Sequence, residues 1–394
     1  MTRTKRTQVG IIGAGPAGLM LARWLQREGI DCVVVEAKSR DYVLARVRAG
    51  ALERGTVDTL RALDATAGLD AVGREMTEAL VHLNGTRYAV PYKPYTGKTM
   101  VSYGQQSVVR DLIDLNEAAG VPVLFETPVE AIEGFDGTAP VLRATGPEGP
   151  LEIACDYVAA CDGFWGIGRK SMPGAEAASH ELDYGFGWLG ILAEVEPDMD
   201  LLGFAAHPRG FALGSLRPPG FSRHYIQVPA GDSADNWSDE AIWDELDLRL
   251  GRKPGEGMPR GPVVQKNIAW LRSFVCEKMQ HGRLFLAGDA AHIVPPTGAK
   301  GLNLAAGDIR VLATGLVEAV RGDAALLDRY AEIALRRIWQ TMRFSWAMTR
   351  AFHKPASETS FEARMREETI ARWVTHEAGR ADLAHGMVGV PFEV

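Results

Sequence analysis

Four short apolar runs punctuate an otherwise mixed chain, at residues 9–12, 32–35, 157–161 and 284–287. Each ends at a glycine or an acid: Gly13, Glu36, Asp162-Gly163 and Gly288-Asp289. Runs this short, bounded by turn signals, predict strands buried on both faces, as in a parallel sheet. Between the first two lies a segment with Leu19, Leu21, Ala22 and Leu25 at helical spacing, closed by Gly29. Strand, helix and strand therefore succeed one another within about thirty residues, the length of a βαβ unit.

Elsewhere the pattern changes. Residues 53–66 and 105–119 predict helices, while 75–103 alternates as strands do, with Asn84-Gly85 as a hairpin turn. Strands are expected through 121–159 and again from about 182 to 272, where a short helix near 238–250 interrupts them. After residue 303 the chain turns helical, over 304–320, 324–350 and 360–384. The predicted fold class is α/β: a Rossmann-like nucleotide-binding domain carrying an inserted β-rich domain, followed by a helical C-terminal region. The expected boundaries are 1–74, 104–181 and 273–347 for the nucleotide-binding parts. A hairpin at 75–103 and the block 182–272 form the β-rich insertion, and 348–394 is helical.

The turns between these elements carry the chemistry. Gly13, Gly15 and Gly18 form GxGxxG between strand and helix, and Glu36 follows 18 residues after the last of them. Glycines there let backbone reach a pyrophosphate, the helix N-terminus attracts its charge, and the acid accepts from a ribose hydroxyl. A second turn, residues 288–303, combines an acid at a strand tip, the rigid pair Pro295-Pro296, and a helix opened by Gly301. That combination suits backbone held close to an anionic cofactor. Only one such fingerprint exists, so one bound dinucleotide is expected.

Composition narrows the classes. A net charge of −7 with no basic block beyond Arg3-Thr4-Lys5-Arg6 argues against nucleic acid as a partner. No long apolar stretch follows that cluster, so neither a signal peptide nor a membrane anchor is expected, and the predicted location is cytoplasmic. Cys32, Cys155, Cys161 and Cys276 lack CxxC pairing. Core thiols are expected, with neither a disulfide nor a metal site.

With these motifs in place, the sequence resembles the 4-hydroxybenzoate 3-hydroxylase family of flavoprotein aromatic hydroxylases over nearly its whole length. The resemblance rests on GxGxxG, on residues 42–50 (YVLARVRAG), on Asp162-Gly163 and Gly288-Asp289, on 186–190 (FGWLG), and on 207–213 (HPRGFAL). It implies non-covalent FAD, reduction by NADPH or NADH, and oxygen delivery to an activated aromatic ring through a flavin C4a-hydroperoxide. By the same resemblance Glu36 holds the adenosine ribose and Asp289 the ribityl chain. Arg46, Arg48, Gln105 and Asp162 join the FAD site, Leu302 and Asn303 meet the isoalloxazine, and Arg223 matches a residue governing flavin mobility. Ser215, Arg217 and Tyr225 match the group that grips a benzoate carboxylate, with Trp188 beside them. Pro296 and Thr297 match the residues facing the reacting ring. The partners implied are a small aromatic carboxylate, molecular oxygen and a second copy of the chain in a homodimer.

Two departures matter. The family relays the substrate's phenolic proton through two tyrosines and a histidine, and the matching positions here are Phe204, Met387 and Met76. None of these holds a titratable proton. The expectation is a substrate that needs no relay, such as an amino-substituted benzoate (3-amino-4-hydroxybenzoate or 4-aminobenzoate). The alternative is an ordinary 4-hydroxybenzoate 3-monooxygenase making 3,4-dihydroxybenzoate. At the nicotinamide site Ala37-Lys38 replaces Arg-Gln and Trp165 replaces a histidine, while Tyr42, Arg46, Arg48 and Arg272 remain. NADPH against NADH therefore stays open, with Lys38, Tyr42 and Arg272 as the expected contacts. A reductase or redox sensor is the remaining class, but it would need a CxxC or a second GxGxxG between strand and helix. The sequence has no CxxC, and its other GxGxxG, Gly185 to Gly190, falls within a stretch that reads as strand.

Overall fold

The computed structural model describes residues 2–46, 50–196, 203–216, 220–251 and 257–392. Arg48 and Arg217 lie outside the described residues.

A six-stranded sheet anchors the nucleotide-binding half, in the order Gln280–His281, Leu284–Leu286, Tyr157–Ala160, Val9–Ile12, Cys32–Val35, Val123–Leu124. All pairings are parallel except that of the first two strands. The four apolar runs expected from the sequence lie side by side, because strands without a polar face are stable only when covered on both sides. Helix Pro16–Arg27 supplies one cover, burying Leu19, Leu21, Ala22 and Leu25. Helix Gly301–Val320 packs against it.

A second, eight-stranded sheet runs His292–Ile293, Val263–Cys276, Ser179–Ala193, Ser222–Pro229, Ala212–Leu216, Gly203–Ala206, Glu78–Leu83, Thr86–Pro91. Asn84 and Gly85 turn the last pair, with φ of 49° and 75°. The two faces of this sheet differ in kind. One buries Leu189, Ile191, Ala193, Ala212, Ile226 and Val228 under helix Asp239–Arg249, whose Ile242, Trp243 and Leu246 complete that core. The other face looks into a cavity.

Several elements depart from the sequence expectation. The basic cluster Arg3–Arg6, for which the sequence predicts no element, pairs in parallel with Gly149–Ala154 as the edge of a four-stranded sheet. The helical stretch 324–350 breaks at Arg329 into Ala325–Asp328 and Tyr330–Phe352. The stretch 360–384 breaks at His376 into Ser360–Thr375 and Glu377–Val388. No proline or glycine marks the break at Arg329, whereas Gly379 follows the break at His376, and a Cβ there would lie 2.1 Å from the Arg372 carbonyl oxygen. Among the described residues no helix is long and apolar enough to cross a membrane.

Candidate active site

The glycine loop shows three separate physical demands. Gly13 adopts φ +101°, and a Cβ there would lie 2.4 Å from the Cys161 carbonyl oxygen. A Cβ on Gly18 would lie 2.0 Å from the Gly13 oxygen, so helix and strand could not close. Gly15 meets nothing within 4 Å, which leaves open space at the N-terminus of helix Pro16–Arg27. No side chain caps that terminus, and its uncommitted N–H groups are the donors a pyrophosphate needs. Glu36 stands beside it, its two carboxylate oxygens accepting from the Ala14 and Lys38 N–H groups, each at 2.8 Å. Each oxygen keeps a lone pair for a ribose hydroxyl.

The other segments expected around the dinucleotide converge here, though not all in the same way. Asp289 is exposed between the buried Gly288 and Ala290. Asp308 fixes this turn by accepting from the Gly288 N–H at 2.9 Å and pairing with His292 at 2.6 Å. Burial disfavours charge on His292, but the Asp308 carboxylate outweighs it and raises the pKa. Asp162, by contrast, turns inward. Its Oδ2 accepts from the Gly168 N–H at 2.8 Å and braces the helix Ile167–Ser171. Burial raises its pKa, against the pull of that same N–H. Its Oδ1 is buried without a partner among the described residues. Asp162 thus shapes the wall behind Gly13 through its backbone.

Asn303 is likewise committed. Its Oδ1 accepts from the Glu53 N–H at 2.9 Å and from Thr56 Oγ1 at 2.7 Å, while Nδ2 donates to the Ala51 and Ala299 carbonyls at 2.9 Å each. The side chain is a staple. What Leu302 and Asn303 can offer a flavin is backbone N–H in the first turn of helix Gly301–Val320, where N–H groups have no intrahelical carbonyl to bond. Gln105 opens helix Gln105–Ala118 immediately after Gly104, against which Gly50 packs too closely for any Cβ.

The sheet face opposite helix Asp239–Arg249 lines a cavity of about 770 Å³. Strand register explains which residues share it. Leu213 pairs with Tyr225 and Ser215 with Arg223, while Gly190 lies between Tyr225 and Asn267 on its two neighbours. Directly opposed residues, and those two apart along a strand, project from the same face. Gly190 leaves the room: a Cβ there would come within 2.9 Å of Arg223 Nη2. Of the residues expected at the substrate, this one cavity gathers Trp188, Phe204, Ser215, Tyr225, Pro296, Thr297 and Met387, and it also holds Arg223, expected at the flavin. Tyr42, Arg46 and Arg272 line it too, whereas Lys38 stands outside with its ammonium 5.7 Å from the Tyr42 ring.

Its electrostatics are uneven. Arg223 is 4% exposed, and its Nε and Nη1 have no partner among the described residues. A guanidinium removed from water in this way calls for an anion. Ser215 Oγ donates to the Arg223 carbonyl at 3.1 Å, which leaves the hydroxyl oxygen free to accept. Met76, Phe204 and Met387 meet at the same cavity. The three changes seen in sequence thus converge in space.

Several contributors carry no sequence signal. Trp188 Nε1 donates to His353 Nε2 at 2.6 Å, and the His353 Nδ1 lies 2.8 Å from the Thr349 carbonyl. Burial pushes the His353 pKa down to about 3, so the imidazole is neutral and clamps the Trp188 ring. Glu53, only 2% exposed, is flanked by Lys300 at 2.7 Å and Arg337 at 2.9 Å. Lys300 also donates to the Met387 carbonyl at 2.6 Å, tying the cavity wall to the helix start. Burial lowers the Lys300 pKa against the opposing charge of Glu53. Tyr92 and Glu78 line the cavity as well.

Comparison with known proteins agrees with this geometry. The family described as FAD binding domain matches residues 6–345. The p-hydroxybenzoate hydroxylase of Acinetobacter baylyi is 42% identical over 394 residues, covering 100% of this chain and 97% of that relative. A probable NADH-specific resorcinol 4-hydroxylase of Rhodococcus jostii is 27% identical over 83% of this chain, which spans 62% of that longer protein. Among solved structures, p-nitrophenol 4-monooxygenase of Pseudomonas putida superposes with a TM-score of 0.82 at 18% identity, over 99% of this chain and 100% of that one. The open Gly15, the uncapped helix and the outward Asp289 fit FAD. The chain belongs to the 4-hydroxybenzoate 3-hydroxylase family of FAD-dependent, NAD(P)H-consuming aromatic-ring monooxygenases.

Proposed function

We propose that this enzyme hydroxylates a benzoate whose ring carries an amino group, such as 3-amino-4-hydroxybenzoate or 4-aminobenzoate. The observation that carries the reading is the convergence of Met76, Phe204 and Met387 on the cavity that also holds Ser215, Tyr225 and Arg223, whose Nε and Nη1 lack a partner among the described residues. Bound FAD, reduced by the nicotinamide coenzyme, supplies the oxygen-activating chemistry. The chain's own residues position the ring and tune it. Ser215, Tyr225 and Arg217 grip the carboxylate, and Arg223 adds a buried positive charge. Pro296 and Thr297 face the reacting carbon. An amine pushes its lone pair into the ring without losing a proton, so apolar side chains can stand where a phenol would need a proton acceptor.

Glu36, Asp289, Gln105, Arg46, Arg48 and the backbone at Asp162, Leu302 and Asn303 hold the FAD in this reading. Lys38, Tyr42 and Arg272 meet the nicotinamide coenzyme. Arg272 lies over the Phe164 ring at 4.9 Å and the Trp165 ring at 5.6 Å, a cationic rim suited to a phosphate. The second reading, 4-hydroxybenzoate 3-hydroxylation, is favoured by the relative from Acinetobacter baylyi.

The test is a panel of substituted benzoates scored by product formed per NAD(P)H consumed. Amino-substituted benzoates are expected to couple tightly and 4-hydroxybenzoate loosely. Tight, fast coupling of 4-hydroxybenzoate hands the assignment to the second reading.

A homodimer is also proposed. Trp339 and Trp346, seven residues apart on helix Tyr330–Phe352, share a helical face and are 38% and 41% exposed. Phe344 and Phe352 of the same helix are buried in the core instead. Light scattering on the wild type and a Trp339→Glu/Trp346→Glu pair should show a dimer becoming a monomer. An unchanged mass would remove this face from consideration.

A further inference from the structure

Tyr92 is fully buried, and its backbone is satisfied. Its N–H donates to the Thr77 carbonyl at 2.8 Å, and its own carbonyl accepts from Thr96 Oγ1 at 2.9 Å. Its hydroxyl is different: it is buried and has no hydrogen-bond partner among the described residues. An unpaired buried hydroxyl is a cost that phenylalanine would avoid. The residue nevertheless lines the substrate cavity, where a ligand can complete its bonding.

Its neighbourhood says which part of a ligand it would meet. Tyr92 precedes the short turn Lys93–Thr96, which packs against helix Glu377–Val388, the bearer of Met387. Its bond to Thr77 places it beside Met76. Tyr92, Met76, Phe204 and Met387 belong to one apolar cluster. Among these apolar side chains the Tyr92 hydroxyl is the polar atom. Glu78 lines the same cavity. Burial first, and then the Glu78 charge, push the Tyr92 pKa up, so the hydroxyl stays protonated at any working pH. It can donate and accept a hydrogen bond, but it cannot take a proton away.

We infer that Tyr92 and Glu78 recognise a hydrogen-bond-donating substituent on the aromatic ring, an amine or an undissociated phenol, and so select among benzoates. This rests on the proposed carboxylate grip, which sets the ring's register. An N–H of the substituent donates to the Glu78 carboxylate or to the Tyr92 oxygen, whose own proton stays in place. A phenolate at the same point would face the Glu78 charge and be rejected. Tyr92 and Glu78 act here as specificity-determining residues, and no proton transfer is asked of either.

The experiment is equilibrium binding to the FAD-loaded enzyme, with benzoate and 3-amino-4-hydroxybenzoate as probes, for wild type, Tyr92→Phe and Glu78→Gln. Tyr92→Phe should weaken 3-amino-4-hydroxybenzoate by about tenfold and benzoate by less than about twofold. Its ligand-free melting temperature should stay the same or rise, since an unpaired hydroxyl has been removed. Glu78→Gln should show the same discrimination, and it decides the matter where Tyr92→Phe does not fold. Equal weakening of both probes, no change in either, or a lower melting temperature for Tyr92→Phe overturns the inference. If wild type fails to bind benzoate, the carboxylate grip itself is wrong. If benzoate binds and the variants discriminate nothing, only the role of Tyr92 and Glu78 falls.

Discussion

Around the glycine loop the structure offers backbone N–H groups at an uncapped helix start, and side chains such as Asn303 hold neighbouring backbone in place. Gly13, Gly15 and Gly18 shape the loop by what they lack, while Asn303 spends its polar atoms on neighbouring loops and Asp162 braces helix Ile167–Ser171 through Oδ2. In the cavity beside the eight-stranded sheet the polarity comes from side chains, and two of them, Arg223 and Tyr92, have buried atoms with no partner among the described residues. A backbone site tolerates change in its side chains but not in its geometry. A side-chain site can be re-purposed by a few substitutions while the fold beneath it stands. This difference lets a family keep one cofactor and move between substrates.

The comparison can be broken at either end, and the largest effects lie in the glycine loop. Gly18→Ala drives a Cβ to 2.0 Å from the Gly13 oxygen and should cost about 4 kcal/mol or more of stability, read by denaturant unfolding. Gly15→Val, three residues away, meets open space at φ −76° and should fold normally. Its FAD affinity should fall on the order of hundredfold, equivalent to about 2.8 kcal/mol. If Gly15→Val retained FAD, the glycine loop would not be where the pyrophosphate lies.

His353, beside the cavity, clamps Trp188 and is held neutral. Its folded pKa, about 3, lies below its ordinary 6.5. The unfolded chain therefore takes up a proton below pH 6.5 that the folded protein refuses. Stability contributed by the neutral ring is complete above about pH 6.5 and falls as the pH drops toward 3, by roughly 1.4 kcal/mol per pH unit. His224, pushed by burial to about 4, adds in the same direction. Unfolding of wild type and His353→Gln from about pH 7 to about pH 5 should show the shallower slope in the variant. Parallel slopes would mean that His353 is protonated where it stands.

The smallest effect belongs to the cavity. Ser215→Ala should weaken benzoate about tenfold while FAD content and melting temperature stay at wild-type values. Loss of FAD in that variant would blur the division between the two regions.

The same division governs what could be read from sequence. GxGxxG, Glu36 and Gly288-Asp289 act within single turns, so spacing alone exposes them, and the four apolar runs identify the sheet that carries them. The cavity has no such local record. Ser215 and Tyr225 sit on adjacent strands, Met76 lies near the start of the chain and Met387 near its end. Only the family resemblance linked them. Arg3–Arg6 carries no strand signal because its strand is exposed and owes its order to Gly149–Ala154, far along the chain. His353, Glu53, Lys300 and Tyr92 went unmarked because a buried polar residue looks, in sequence, like any surface one. The break at Arg329 leaves no nearby glycine or proline to find.

The central claim is that the proton relay has gone while the oxygen-transferring side is kept. It can be tested directly by titrating 4-hydroxybenzoate bound to the FAD-loaded enzyme from about pH 6 to about pH 9 and following its ultraviolet absorbance. With Met76, Phe204 and Met387 around the ring and Glu78 beside it, the bound ligand should remain the neutral phenol across that range. A phenolate spectrum appearing near pH 7 would contradict the account.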